Sequence, residues 1–354
     1  MKNLMKTSYR PRAAAPLRVA LALSALACAP SWAQSSVQLS GLADAYVGSM
    51  RMAGDGARKN TLGSGGMTTS WWGLSGSEDL GGGARAIFAI TSFMRLGDGS
   101  LGRFGGDTPF SRDAYVGLGG GFGTLRLGRW MAPNFLPTIL FNPFGDSFAF
   151  SPLVLHANVP LFNGTGWTGT TPADTGWSSQ LAYTTPDFGG LTATLQYQFG
   201  DGAIGNGKRN LGANLVYMSG PLGLTAFYER AQLTNPVAAP FADGSRRTNW
   251  MVGGFYDFAV VKLFATYGQA KNNVTDAKAK TASLGASVPL GAGKLLAAYA
   301  RTRNTALDAT RQTLTVGYDH SLSKRTDLYA NVMHDRITGT SSGTSLGLGV
   351  RHRF

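Results

Sequence analysis

The sequence predicts an all-β fold, a 16-stranded antiparallel transmembrane β-barrel, and three observations carry that expectation. Apolar and polar side chains alternate with period two along sixteen runs. The connections between those runs alternate between short turns and longer polar stretches. Only 14% of residues are charged while 43% are apolar, against roughly a quarter charged in a soluble domain. Glycine reaches 49 of 354 residues without a Gly-X-Y period, which excludes collagen, and the apolar content excludes a wholly disordered chain. Beyond the first 33 residues no stretch holds the roughly 18 unbroken apolar residues of a membrane-spanning helix.

Residues 1–33 read as an export signal, leaving 34–354 as a single barrel domain. Lys2, Lys6, Arg10, Arg12 and Arg18 form a basic leader without an acid, Val19 to Ala29 is an apolar run, and Ser31-Trp32-Ala33 is a small-x-small cleavage site. The single cysteine, Cys28, lies in this leader, with Ala25 where a lipid-attachment motif prefers leucine. The remaining chain has no thiol for a disulfide, a metal site or a nucleophile. Removing the five leader cations lowers the formal charge from +13 to +8. The other basic residues are scattered singly, without the clusters of a nucleic-acid groove, so no nucleic-acid partner is expected.

The runs are 36–50, 67–77, 84–95, 110–118, 124–130, 177–186, 190–199, 209–218, 223–231, 248–258, 260–268, 280–288, 294–303, 310–319, 326–335 and 344–354. In 190–199, Leu191, Ala193, Leu195, Tyr197 and Phe199 share one face and Thr192, Thr194, Gln196 and Gln198 the other, because successive strand side chains point to opposite faces. Most runs approach the 9–11 residues of a tilted membrane strand. Short connections such as Asp187-Phe188-Gly189 and Ser219-Gly220-Pro221 alternate with polar stretches such as 51–66, 232–247 and 269–279, the asymmetry of an outer-membrane barrel. Tyr46, Trp71, Trp72, Trp130, Tyr183, Tyr197, Tyr217, Tyr228, Tyr256, Tyr267, Tyr299 and Tyr318 fall near strand ends, where interfacial girdles place aromatic rings. Periodicity alone also fits a soluble sandwich; the leader, the even strand number and the terminal Phe354 favour the membrane. Lipid cannot satisfy a free sheet edge, so the run ending at Phe354 is expected to pair with the one starting near Val37.

Several stretches resemble the general porins of β-proteobacteria. They are Gly73-Leu-Ser-Gly-Ser-Glu-Asp-Leu-Gly-Gly-Gly83 running into Phe88, Arg112-Asp-Ala-Tyr-Val-Gly-Leu118, Phe122 to Arg129, Tyr183 to Gly190, Tyr256-Asp-Phe258, Val288 to Gly293, Leu322 to Thr326, and the closing Val350-Arg-His-Arg-Phe354. The resemblance implies a homotrimeric barrel set in outer-membrane lipid and lipopolysaccharide. It would pass small hydrophilic solutes and ions by diffusion, with no cofactor. It also implies that Phe354 is a signal to the barrel-assembly machinery and that a long third loop folds inward, its acids facing basic residues on the wall. The longest connection, 131–176, suits that loop. It contains no Lys or Arg, Asp146 is its only acid before Asp174, and its middle from Phe135 to Phe150 is too apolar to stay in water. The expected constriction is therefore apolar and weakly charged.

If the more apolar face of each strand meets lipid, the other lines water, since charges at the lipid midplane cost a few kcal/mol. Ala86, Phe88 and Ile90 then place Arg85 and Arg95 inside; Leu125 and Leu127 place Arg126 inside; Val261, Leu263 and Ala265 place Lys262 inside; Leu348 and Val350 place Arg351 and Arg353 inside. Arg112 and Arg129 fall on the apolar parity, so either a bulge shifts the phase or they stand at the rim, and their motifs suggest the wall near the constriction. Cations lining a lumen concentrate anions, so a mild anion preference is expected. An alternative is the same barrel with a solute-binding constriction.

Catalysis is not expected. His156, in the long loop, is the one plausible general base among four histidines, and no nucleophile motif such as Gly-x-Ser-x-Gly accompanies it. No Asp or Glu stands in metal-ligand spacing with a histidine. Gly202 to Lys208 fits the start of a phosphate loop, but Arg209 stands where Ser or Thr should hold Mg²⁺.

Overall fold

A computed structural model of the chain describes residues 36–103, 105–157, 175–200, 208–232, 246–273, 276–306 and 308–354. Residues 1–33, expected as an export signal, the glycine-rich 202–207 and Asp174 lie outside the described residues. Seventeen strand segments follow in order: β1 (Ser36–Met50), β2 (Lys59–Ser64), β3 (Trp71–Gly81), β4 (Ala84–Phe93), β5 (Asp113–Gly120), β6 (Gly123–Met131), β7 (Gly176–Thr184), β8 (Leu191–Gln198), β9 (Leu211–Ser219), β10 (Leu222–Ala231), β11 (Arg247–Asp257), β12 (Lys262–Asn272), β13 (Lys278–Leu290), β14 (Gly293–Asn304), β15 (Ala309–Ser321), β16 (Thr326–Ile337) and β17 (Gly343–Arg353). Two short helices, α1 (Phe135–Leu140) and α2 (Pro152–Ala157), interrupt the connection from β6 to β7.

Every strand pairs antiparallel with its neighbours, and β17 returns to β1, so the sheet closes into a barrel. Gly41 and Phe354 exchange backbone hydrogen bonds of 3.0 Å in both directions, which joins the two ends of the sheet as the absence of a free edge requires. The barrel has sixteen staves because β2 and β3 are two pieces of one. On the same edge of β1, residues 36–42 pair with β3 and residues 45–50 with β2. The stretch 51–66, expected as a loop, therefore contains the upper half of a stave.

The cause of that break is Asp44, fully buried on the inner face of β1. Its carboxylate accepts the backbone N–H groups of Gly66, Met67 and Thr68 at 3.0, 2.9 and 2.8 Å, and the Tyr329 hydroxyl as well. Ser70 completes the seat, accepting from the Asp44 N–H at 2.9 Å and donating to its carbonyl at 3.0 Å. The chain between β2 and β3 leaves the sheet because a side chain satisfies the amides that the ladder would have used.

Outward positions at mid-barrel height are apolar on strand after strand, with Leu284 62% and Leu348 60% exposed. A continuous apolar exterior of this extent marks a lipid-facing surface. Trp72, Tyr197, Tyr228, Tyr256 and Tyr267 are exposed on that exterior, as expected of a girdle. Tyr46, Trp71 and Trp130 are not; they share the inward parity of Asp44, Gly73 and Arg126 and point into the lumen. Nearness to a strand end suggested an interfacial role for these three, whereas parity decides the face.

Candidate functional site

The described part of the long connection after β6 lies inside the barrel, and its sequence explains why. Phe144, Phe150 and Leu155 are buried with Met67, Leu296, Ala298, Tyr329 and Met333, and Tyr46 packs its edge against the Phe150 ring at 5.7 Å. Side chains this large and apolar gain several kcal/mol by leaving water, and the inner wall offers an apolar patch opposite them. Polar tethers fix the register. Asn214 donates to the Pro133 carbonyl at 3.0 Å, and Asn134 donates to Glu229 at 2.8 Å. Ser147 donates to the Gly66 carbonyl at 2.5 Å, seating the loop on the break in the second stave.

At α2, His156 shares 2.8 Å hydrogen bonds with the hydroxyls of Thr302 and Thr313. Burial, with the Arg311 charge nearby, pushes His156 well below the ordinary imidazole range, so it is a neutral tether. Arg311 donates to the Leu155 carbonyl at 3.3 Å and forms a bidentate pair with Asp335 at 2.9 and 3.2 Å.

The wall opposite carries the residues expected from parity. Arg126 projects inward from β6, donates to Thr184 at 3.2 Å and lies over the Trp130 ring at 4.3 Å. Lys262 projects inward from β12 with its ammonium 3.5 Å from the Phe255 centroid. Neither has a carboxylate in ion-pair range among the described residues. Arg85 keeps inward parity on β4 but is exposed at the short-turn end. Arg351 and Arg353 face inward and are neutralised: Arg351 donates to Asp327 at 2.9 Å, to Asp319 at 3.2 Å and to Thr68 at 2.9 Å, and Arg353 donates to Asp327 at 3.0 Å.

Three placements differ from expectation or resolve an ambiguity. Arg95 lies beyond β4, in the loop after it, paired with Asp98 at 3.5 Å. It borders a cavity of about 660 Å³ lined also by Tyr46, Met50, Arg103 and Phe148. Arg112 precedes β5 and turns inward despite its parity, stacking 3.8 Å above the Trp71 ring and donating to Asp113 at 2.8 Å. Arg129 keeps outward parity, opposite Ala114, at the loop end of β6. Its guanidinium is tied to the Ser111 carbonyl at 2.6 Å and to Ser178 at 2.9 Å. The irregularity beside it sits on β7, where Ser179 is inserted with φ 50°, so the phase of β6 is unchanged.

Asp146 completes the arrangement from the loop side. Desolvation pushes its carboxyl up to about 6, against the Thr68 hydroxyl and the charges of Arg351 and Arg112. An infolded apolar loop, carrying one acid toward arginines on the wall of a 16-stave barrel, narrows the lumen without closing a catalytic constellation.

The sequence profile of the Gram-negative porin family matches residues 20–340. The chain belongs to that family. It is 31% identical to outer membrane porin protein 32 of Delftia acidovorans, over 94% of this chain and 99% of the relative. It is 27% identical to an outer membrane porin protein of Bordetella pertussis, over 80% and 82% of the two chains. Among solved structures, the anion-selective porin from Comamonas acidovorans superposes with a TM-score of 0.75 at 28% identity, covering 91% of this chain and all of the other. This porin is thus an outer-membrane channel for passive diffusion and not an enzyme.

Some residues that build the porin's lumen escaped the sequence reading. Arg311, Asp335 and Glu229 are buried on the inner face. Leu314 and Val316 place Arg311 inward by the same alternation that places Arg126, so the signal was present in run 310–319. Asp44 carries no such signal of its role, because its partners Gly66 to Thr68 are set by the break it causes. Phe354 lies at the seam with its ring over Gly41, where a β-carbon would overlap it.

Proposed function

We propose that this porin conducts small hydrophilic solutes with a mild preference for anions, and that Arg126 and Lys262 supply that preference. The carrying observation is that neither has a carboxylate partner among the described residues. Most other inward cations are offset, Arg112 by Asp113, Arg311 by Asp335, and Arg351 and Arg353 by Asp319 and Asp327. Over aromatic rings the two free cations keep their charge in the lumen while their stems stay packed. The preference is mild because salt screens a charge beyond about 8 Å at physiological strength. The likeness to an anion-selective porin supports the same sign.

The reading extends to a homotrimer, exported by the 1–33 signal, set in lipopolysaccharide and folded by the barrel-assembly machinery through Phe354. The test of the pore is single-channel recording in a planar bilayer under a salt gradient. Wild type should give an anion-favouring reversal potential, and Arg126→Ser with Lys262→Ser should abolish it. Cation preference in the wild type would overturn the assignment. Openings in steps of three support the trimer.

A further inference from the structure

Three methionine side chains reach one cavity. Met50 at the end of β1, Met52 just beyond it and Met94 after β4 are half-buried and line the cavity of about 660 Å³ that Arg95 borders. Met67, Met251 and Met333 are only 3, 4 and 1% exposed. The same barrel therefore carries both reachable and shielded thioethers.

The infolded loop supplies part of the cavity wall through Phe148, Ala149 and Leu155. Met50 and Met52 also pack, with Tyr46 and Ala149, against the buried cluster of Phe144, Phe150 and Leu155 that seats this loop. A thioether suits such a place because it is apolar and flexible. A sulfoxide does not, because its added polar oxygen calls for a donor. The donors at hand are committed. Arg95 is paired with Asp98 at 3.5 Å, and Arg103 with Asp107 at 2.8 and 3.1 Å. The Ser345 hydroxyl, 3.9 Å from the Met52 sulfur, donates to the Arg51 carbonyl at 3.1 Å. An oxidised side chain must strand its oxygen against the apolar loop or turn to water and leave the loop without support.

We propose that Met50, Met52 and Met94 form an oxidation site through which hypohalous acids loosen the infolded loop. The sulfur lone pair takes chlorine from hypochlorous acid, and hydroxide leaves. Water then bonds to sulfur through its oxygen, and chloride departs. The net reaction adds one oxygen to sulfur and releases chloride and a proton; sulfur gives up two electrons and chlorine gains them. The site concerns the seat of the loop and is independent of which ions the lumen prefers.

The test treats the purified barrel with equimolar hypochlorous acid and locates sulfoxide by peptide mass spectrometry. Occupancy at Met50, Met52 and Met94 should exceed that at Met67, Met251 and Met333 by at least about tenfold, because oxidation follows exposure. Hydrogen exchange of the amides between Phe148 and Leu155 should then quicken about fivefold or more, the shift expected when a buried polar group lacks a partner. Met50→Leu with Met52→Leu and Met94→Leu keeps the packed volume and removes the reactive sulfurs, so the oxidant should leave its loop exchange unchanged. Equal oxidation of the shielded methionines in the folded barrel, unchanged loop exchange once the three sulfurs are oxidised, or the same acceleration in the triple variant would each overturn the proposal. If the triple variant fails to fold, Met50→Leu with Met52→Leu decides it: the acceleration should fall at least about twofold, and an undiminished response overturns the assignment.

Discussion

Replacing Asp335 by alanine tests how the constriction is held. The Arg311 and Asp335 side chains are 0% and 1% exposed, with Nε–Oδ1 at 2.9 Å and Nη2–Oδ2 at 3.2 Å. The same carboxylate also accepts the Thr313 hydroxyl at 2.5 Å and the Ala53 N–H at 3.1 Å. Removing it leaves a buried guanidinium without its counter-ion, which costs about 3–5 kcal/mol, and strands further donors at about 1–3 kcal/mol each. Arg311 also holds the end of α2 through the Leu155 carbonyl, so the loss falls on the loop as well as on the wall. Unfolding in denaturing detergent should accelerate at least about a hundredfold if the contact is absent from the transition state, and single-channel traces should become noisy. The double replacement Arg311→Met with Asp335→Leu should recover the counter-ion part of the loss, because an apolar pair of similar volume carries no desolvation cost, but not the part due to the Ala53 N–H, which still lacks its acceptor. It should not recover the quiet trace, since the tether to Leu155 is gone. An Asp335→Ala barrel as durable and as quiet as wild type would refute the reasoning.

Three further outcomes are expected. Because Asp146 has its carboxyl raised to about 6, it is charged above that pH and neutral below it; anion preference should increase as pH falls from 7.5 to 4.5, and Asp146→Asn should show the low-pH selectivity throughout, as read by reversal potential. Gly347→Ala places a β-carbon against the Phe150 ring; overpacking of this kind costs about 1–3 kcal/mol, and the displaced loop should shift the conductance level. Asp44→Ala removes the acceptor for three amides, so hydrogen exchange at Gly66, Met67 and Thr68 should rise by at least tenfold while that of β15 amides stays unchanged.

The sixteen staves were legible because lipid on one side and water on the other force strict alternation, and each run overlaps a strand of the barrel. The upper half of the second stave was not. Lys59 to Ser64 offers a single large apolar residue, Leu62, and its pairing is imposed by β1 rather than by its own pattern. The apolar third loop was legible as something that must leave water, yet its seat on Met67, Leu296 and Met333 depends on contacts between distant parts of the chain. Charge was half legible. Alternation gives the face of Arg351, but not that Asp319 and Asp327, on two other strands, cancel it. Arg112 shows the limit of parity, because at a strand end the backbone no longer fixes the direction of a long side chain.

The seam between β1 and β17 sets the order in which this barrel can form. Every other contact in the sheet joins consecutive staves, whose turns close at a cost of about 1 kcal/mol for a four-residue turn. Leu42 and Arg353 meet across roughly 300 residues, which raises the closure cost to about 5 kcal/mol. Hairpins can zip as soon as they exist, but the final edge must wait until the last residue has arrived. Until then two rows of unpaired backbone groups remain open, one at each end of a growing sheet. Ala45 to Ser49, which take up the arriving strand, already pair with β2 on their other side, so that strand meets an ordered template. Closure is the one global event of assembly, and the register that Phe354 adopts against Gly41 decides whether all sixteen staves share one shear.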